Sequence, residues 1–294
     1  MSLPAPNWFA LSMVSAFSLA TADALTKRFF GDLTGLQLMI VRLAVPGLLL
    51  LPIAIRHPLP AVPPLFWFII AILVPLELLA MWLYMLAIRD NPLHLTLPYL
   101  AFTPVFNVLT GFVVLRERIS LTGFTGIFLV VAGAYFLNNQ TGGRGWRLPL
   151  TAIRRNRGSR FMLTVALIYS LTSVLGKRAM QDATPLSFGP FYFLLLGGLL
   201  VVSAWCRQPG RVAVRGLFKR WRQLLMVGGC MAVMIVSHFL AIAKVEVAYF
   251  TSLKRTSLLF GILYGYLLFK EPNPLRHLLA GALMVGGVAM IVIG

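Results

Sequence analysis

Lys27-Arg28-Phe29-Phe30-Gly31-Asp32-Leu33-Thr34-Gly35-Leu36 returns 150 residues later as Lys177-Arg178-Ala179-Met180-Gln181-Asp182-Ala183-Thr184-Pro185-Leu186. The common skeleton is KR-x3-D-x-T-x-L, and Gly47 and Gly197 extend the match at the same offset. Four inserted residues later, an offset of 154 aligns Leu86-Ala87-Ile88 with Leu240-Ala241-Ile242, Phe106 with Phe260, Gly111 with Gly265 and Glu117 with Glu271. Chance rarely repeats such a pattern, so the chain reads as two copies of one unit.

What each copy contains follows from composition. The 294 residues are 59% hydrophobic and 12% charged, whereas a soluble domain carries about 45–50% apolar and about 25% charged residues. Mean hydropathy is +0.85, which excludes an ordinary cytosolic enzyme and a disordered chain. The apolar excess is gathered into ten segments, at roughly 8–26, 34–55, 64–88, 93–115, 120–138, 160–178, 186–205, 221–243, 246–269 and 275–293. A helix of about 20 such residues crosses a hydrocarbon core of about 30 Å. Gly123–Tyr135 and Leu278–Ile293 are apolar on all sides, whereas barrel strands alternate, so the spans read as helices. The predicted fold class is therefore an all-α integral membrane protein with ten transmembrane helices. Met1–Asn7 has no basic residue, so the first segment reads as a span and not as a signal peptide.

Five helices per copy is an odd number, so the second copy enters the membrane from the opposite side. Residues 1–140 form the first repeat, 141–159 a basic connecting loop and 160–294 the second repeat. Inverted repeats are a device of secondary transporters, with substrate held near the midplane. The net charge of +18 would point to nucleic acid in a soluble protein; here it reports orientation. Odd-numbered connections carry 17 Lys and Arg, even-numbered ones six, which places the odd loops in the cytoplasm and both termini outside. Arg42, Lys254 and Arg255 fall inside spans.

The run Pro104…Leu115-Arg116-Glu117-Arg118-Ile119-Ser120…Gly126…Gly133, echoed by Lys270-Glu271…Gly281…Gly286-Gly287, resembles the paired EamA-type units of the drug/metabolite transporter superfamily. Within it the chain most resembles the YddG-type amino-acid exporters. The resemblance implies a ten-helix basket in a bacterial inner membrane, its central cavity lined by segments one, three, four, six, eight and nine. Two departures stand out. Leu258 occupies the place of Pro104 in the second repeat, so the ninth segment lacks the proline that would bend it, and relatives usually drawn with cytoplasmic termini conflict with the charge count.

Charge inside a span is costly unless paired or hydrated, and so marks function by default. Glu77 is the one acidic residue placed deep; Glu117, Asp32 and the others lie at or near span ends. Glu77 could meet a substrate ammonium, carry a proton, or hold helices together by pairing with Arg42 or another buried base. Lys254 and Arg255 point about 100° apart on a helix, so one could bind a substrate carboxylate while the other finds a partner or snorkels. His238, the repeat counterpart of Tyr84, reads as a packing residue or a proton switch. Pro98 and Pro104 are hinge candidates, because each frees a carbonyl on the preceding turn. Tyr99, Phe102 and Thr103 accompany them. Phe17 and Thr21, Trp82 and Tyr84, Tyr169 and Ser173, and Ser257 with Tyr264 add aromatic and hydroxyl lining, suited to an amphipathic solute with a flat apolar part.

Gly261-x3-Gly265 and Ala282-x3-Gly286 mark tight helix contacts within a monomer, or a dimer face. Cys206 and Cys230 supply neither a disulfide framework nor a zinc set, and there is no Walker loop, H-E-x-x-H or G-x-S-x-G. No metal, cofactor or catalytic constellation is therefore expected; the partners are a small-molecule substrate and the lipid bilayer, without nucleic acid. The function read from the chain is export of amino acids, aromatic and apolar ones favoured, or of similar small metabolites by alternating access. Export of drugs or other metabolites, a membrane-embedded enzyme and a channel stand as alternatives.

Overall fold

The computed structural model describes residues 6–90, 97–138, 157–206, 216–269 and 275–293. Among them there is no strand. The helices are α1 Pro6–Phe30, α2 Gly35–Leu49, α3 Leu51–Arg56, α4 Pro64–Asp90, α5 Thr103–Leu115, α6 Leu121–Asn138, α7 Arg157–Ala179, α8 Pro185–Trp205, α9 Trp221–Ile242, α10 Val247–Lys254, α11 Ser257–Phe269 and α12 Leu275–Ile293. Two 3₁₀ turns, Leu97–Phe102 and Phe218–Arg220, precede α5 and α9. Among the described residues, five stretches are long and apolar enough to cross a membrane: Asn7–Phe30, Pro64–Tyr84, Arg157–Ala179, Pro185–Trp205 and Trp221–Ile242. Gly35–Leu49, Tyr99–Leu115, Leu121–Phe136 and Ala280–Ile293 are shorter apolar helices.

The duplicated motif has a definite job. Thr34 and Thr184 are the caps of α2 and α8, both in extended backbone. Each forms a capping box, Thr34 with Gln37 and Thr184 with Ser187; the Thr34 and Thr184 N–H groups donate to those side chains at 3.0 Å. A capping box satisfies two backbone donors that a helix start leaves orphaned. The repeated threonine thus fixes where the second helix of each copy begins.

Among the described residues, three of the apolar segments are interrupted. Residues 34–55 divide at Leu50 into α2 and α3, with Pro52, which has no N–H, in the first turn of α3. Residues 97–115 pass from the 3₁₀ turn into α5 at Thr103. Residues 246–269 divide at Arg255 and Thr256, between α10 and α11. The ninth segment thus breaks although Leu258 stands in the place of Pro104.

The chain forms two compact units. The first contains Met1–Trp67, Ala179–Lys244 and Phe260–Lys270; the second contains Phe68–Arg178, Val245–Leu259 and Glu271–Gly294. Each draws on both halves of the sequence. In the first unit α2 packs on α8, and the repeat-related glycines meet there: a Cβ on Gly47 would stand 2.8 Å from Phe193 O, and one on Gly197 2.5 Å from Ala44 Cα. In the second unit α6 packs on α12 in the same manner. A Cβ on Gly126 would lie 2.6 Å from Gly287 O, and one on Gly133 2.7 Å from Ala280 O. Exchanging the two copies, at offsets of 150 and 154, maps each of these contacts onto its partner. Backbone contact this close is what small residues permit between apolar helices.

Candidate functional site

Most of the interior charges lie in the second unit; Arg42 is in the first. Helical spacing sets Glu77 and Tyr84 seven residues apart on α4, and Tyr169 and Thr172 three apart on α7, so each pair shares a face. Lys254 is the last residue of α10 and Arg255 its cap. Thr172, whose hydroxyl donates to Tyr169 O at 3.4 Å, and Lys254 both lie within electrostatic reach of the Glu77 carboxyl. The phenols of Tyr84 and Tyr169 lie within electrostatic reach of the Arg255 guanidinium. Arg255 Nε is buried and has no hydrogen-bond acceptor among the described residues. Lys254 Nζ stands 5.9 Å from the ring centroid of buried Phe250. Both cations sit at the C-terminal end of α10, where the helix dipole favours positive charge.

The local sequence makes this end. Thr256, 4% exposed, turns its hydroxyl back to Leu253 O at 2.7 Å, and its N–H donates to the same carbonyl at 2.9 Å. Arg255 N reaches Ser252 O and Leu258 N reaches Arg255 O, both at 3.0 Å. These i to i−3 bonds tighten the chain and close α10 without proline. At the other break buried Thr103 does likewise, its hydroxyl on Leu100 O at 2.8 Å. A threonine bonding its own upstream carbonyl competes with the regular helix ladder, and it is the feature that the breaks before α5 and before α11 share, though the one at Leu50 does not. Pro104, second residue of α5, sits in the first turn, where its missing N–H is tolerated. Pro98 lies within the 3₁₀ turn.

The remaining predicted residues of this unit have other neighbours. Tyr99 is 3% exposed, in a core cluster with Ala80, Ala87, Met162 and Val165, and is hydrogen-bonded to Ser159. Phe102 stacks on Tyr99 at 6.5 Å and meets the edge of Tyr135 at 6.4 Å. Ser173 donates to Tyr169 O at 2.6 Å. Ser257 opens α11, half-buried, and Trp82 is 55% exposed on α4. In the first unit, Phe17 meets Phe260 edge-on at 5.3 Å, while Thr21 and Tyr264 hydroxyls are bonded at 2.7 Å. His238 is half-buried, with its ring 4.9 Å from that of Phe239.

Arg42 forms an ion pair with Asp23 of α1 in the first unit, and Lys254 is a base near Glu77, the second of the pairings that the sequence left open. One sequence reading is corrected. Glu117 is not a solvated residue at a span end. Its side chain is 10% exposed and forms an ion pair with Lys177 at 2.7 Å, a group that the charge count treated as loop decoration. Thr172, Asn107 and Thr251 also escaped the sequence reading. Asn107 Nδ2 donates to Thr251 Oγ1 at 2.9 Å, tying α5 to α10, and its Oδ1 is buried without a donor among the described residues. Only Thr172 left a signal, its place on the face of Tyr169.

A chain of apolar helices, duplicated within itself and carrying its interior charges at a broken helix, belongs among membrane transport proteins. The sequence profile of the EamA-like transporter family matches residues 6–139 and again 156–293. The chain is a member of that family, within the drug/metabolite transporter superfamily. It is similar to an uncharacterized transporter of Methanothermobacter thermautotrophicus, 23% identical over 197 residues, which are 64% of this chain and 53% of that protein. The chain thus spans about half the length of that curated relative. A solved crystal structure superimposes with a TM-score of 0.73 over 96% of this chain and 98% of the other, at 15% identity, a likeness of fold alone.

Proposed function

We propose that this transporter exports amino acids, aromatic and other apolar ones favoured, through ten transmembrane helices arranged as two inverted five-helix repeats in a bacterial inner membrane, odd-numbered loops in the cytoplasm. The observation that carries the reading is Arg255 at the end of α10, whose buried Nε–H has no acceptor among the described residues and whose guanidinium lies within electrostatic reach of Tyr169 and Tyr84. A guanidinium in that setting takes a carboxylate in a charge-assisted hydrogen bond. Phenolic O–H groups of Tyr84 and Tyr169 add donors, and their rings accept a flat apolar side chain. Glu77 answers a substrate ammonium, with Lys254 balancing its charge between loads. Alternating access moves the solute past this point, the breaks at Phe102/Thr103 and Arg255/Thr256 bending as Pro98 and Thr256 allow.

The test is uptake and counterflow by purified protein in proteoliposomes, with a panel of labelled amino acids, with and without a pH gradient. Saturable counterflow of phenylalanine or leucine, abolished by Arg255→Gln, is the expected result. Transport of an amine lacking a carboxylate at equal rate, or counterflow undiminished in Arg255→Gln, overturns the assignment.

A further inference from the structure

The polar contacts made by α10 run its whole length, and the least explained of them is at the end away from Arg255. Val247 N–H, at the helix start, donates to Glu117 Oε2 at 2.9 Å. Glu117 Oε1 accepts from Lys177 Nζ at 2.7 Å, and the same ammonium donates to Val245 O at 2.7 Å. One carboxylate and one ammonium thereby bind the connection before α10, its first N–H and the end of α7. Further along, Ser120 N–H donates to Tyr249 OH at 3.1 Å, and Asn107 holds Thr251.

Glu117 is placed for this with some care. Arg116, in the left-handed region at φ 59°, turns the chain as α5 ends, and Glu117 N–H returns to Gly111 O at 3.2 Å. A Cβ on Gly111 would stand 2.9 Å from Glu117 Oε2, so glycine leaves room for the carboxylate. Because α10 is separated from α11 at Thr256, continuity with α11 does not fix its direction. Its docking at the start decides where Lys254 and Arg255 stand, two helical turns on.

We infer that Glu117, charge-balanced by Lys177, is a positioning residue that docks the start of α10 and so sets the Lys254–Arg255 site at its other end. The inference rests on the proposed transport site. A carboxylate at a helix start is favoured by the dipole, and removing one member of a buried ion pair strands the other charge.

Amide hydrogen exchange across 247–254 and counterflow kinetics test it together. Glu117→Ala is expected to speed exchange of these amides and to raise the half-saturating substrate concentration about tenfold, maximal rate falling less. Glu117→Gln with Lys177→Met strands no charge and keeps a side-chain oxygen for Val247 N–H, so it is expected to restore both readouts to within about twofold. The exchanged pair Glu117→Lys with Lys177→Glu keeps the charges but offers Val247 no acceptor, and is expected to stay impaired. Recovery in the exchanged pair, or unchanged exchange in Glu117→Ala, overturns the inference. If the wild-type protein carries no amino acid, the proposed function fails while the exchange measurement still decides this one.

Discussion

The two units treat charge in opposite ways. In the first, each ion pair has a member at the surface: Arg42, itself 17% exposed, pairs with Asp23 at 51%, and Arg220 with Asp32 at 2.7 Å, with side chains 41% and 58% exposed. In the second, Glu77, Glu117, Lys177, Lys254 and Arg255 are drawn inward, and Arg255 Nε has no acceptor among the described residues. The difference is sharpest between repeat counterparts. Lys27 is exposed on α1, whereas Lys177, its copy on α7, is half-buried and grips Glu117. Duplication supplied the same residue twice, and folding used one copy at the surface and the other to lock a helix. Interior charge costs stability, so its concentration in one unit marks where function is to be sought.

The largest expected effect separates those two uses. Arg255→Gln should lower transport by about 100-fold, since removing one partner from a buried charged contact costs about 2–5 kcal/mol. Arg255→Lys should fail as well, because an ammonium lacks the planar fork. Arg42→Gln, breaking a pair with a half-exposed partner, should leave transport within about threefold. Initial-rate counterflow on matched amounts of reconstituted protein measures all three. Equal loss in Arg42→Gln and Arg255→Gln would erase the contrast between the units.

Glu77→Gln comes next. The amide leaves Lys254 without its opposing charge, and about a tenfold rise in half-saturating concentration is expected for a zwitterion. A carboxylate lacking the ammonium should be affected much less. If Glu77 also carries a proton, the substitution flattens the pH profile of uptake; an unchanged profile dismisses proton coupling through this residue.

Packing can be tested apart from charge. Gly197→Ala places a methyl 2.5 Å from Ala44 Cα and Gly287→Ala one 2.5 Å from Gly126 O, while their neighbours Gly198 and Gly286 have nothing within 4 Å. Overpacking a helix crossing costs about 1–3 kcal/mol. Thermal unfolding in detergent should therefore fall for Gly197→Ala and Gly287→Ala, and stay level or rise for Gly198→Ala and Gly286→Ala, where alanine favours helix.

Much of this was legible in the sequence because composition and repetition survive without a fold. The offset of 150 pairs Thr34 with Thr184 and Gly47 with Gly197, and the structure gives each pair one task. Lys254, Arg255 and Glu77 stood out as charges in apolar runs. Their partners did not, because partner choice is tertiary: nothing along the chain says that Arg42 faces α1 or that Lys177 faces Glu117. A count of charges by loop treats every Lys alike and misses the one that is buried. The break before α11 was hidden for a different reason. Proline is the conspicuous helix breaker, and the second copy has Leu258 in its place, while the device common to both breaks is a threonine hydroxyl folded back on its own chain.

The smallest effect lies at the exposed end of the comparison. Arg220 donates to Asp32 through both terminal nitrogens, at 2.7 and 2.8 Å, and to Phe29 O at 3.0 Å. That guanidinium holds the Asp32 carboxyl below its usual range. A carboxyl depressed in the folded state contributes stability that is present above its unfolded value and lost as pH falls through the folded one. Near neutral pH, Arg220→Gln should lower the melting temperature slightly, and the gap between variant and wild type should stay flat upward and close only in strong acid. Because both groups face water, raising salt should shrink the gap at neutral pH too. The buried pair of Glu117 and Lys177 should resist the same salt, since screening acts weakly where ions cannot approach. A salt response equal in the two would mean that the second unit's charges are hydrated after all, and the contrast between the units would reduce to position along the chain.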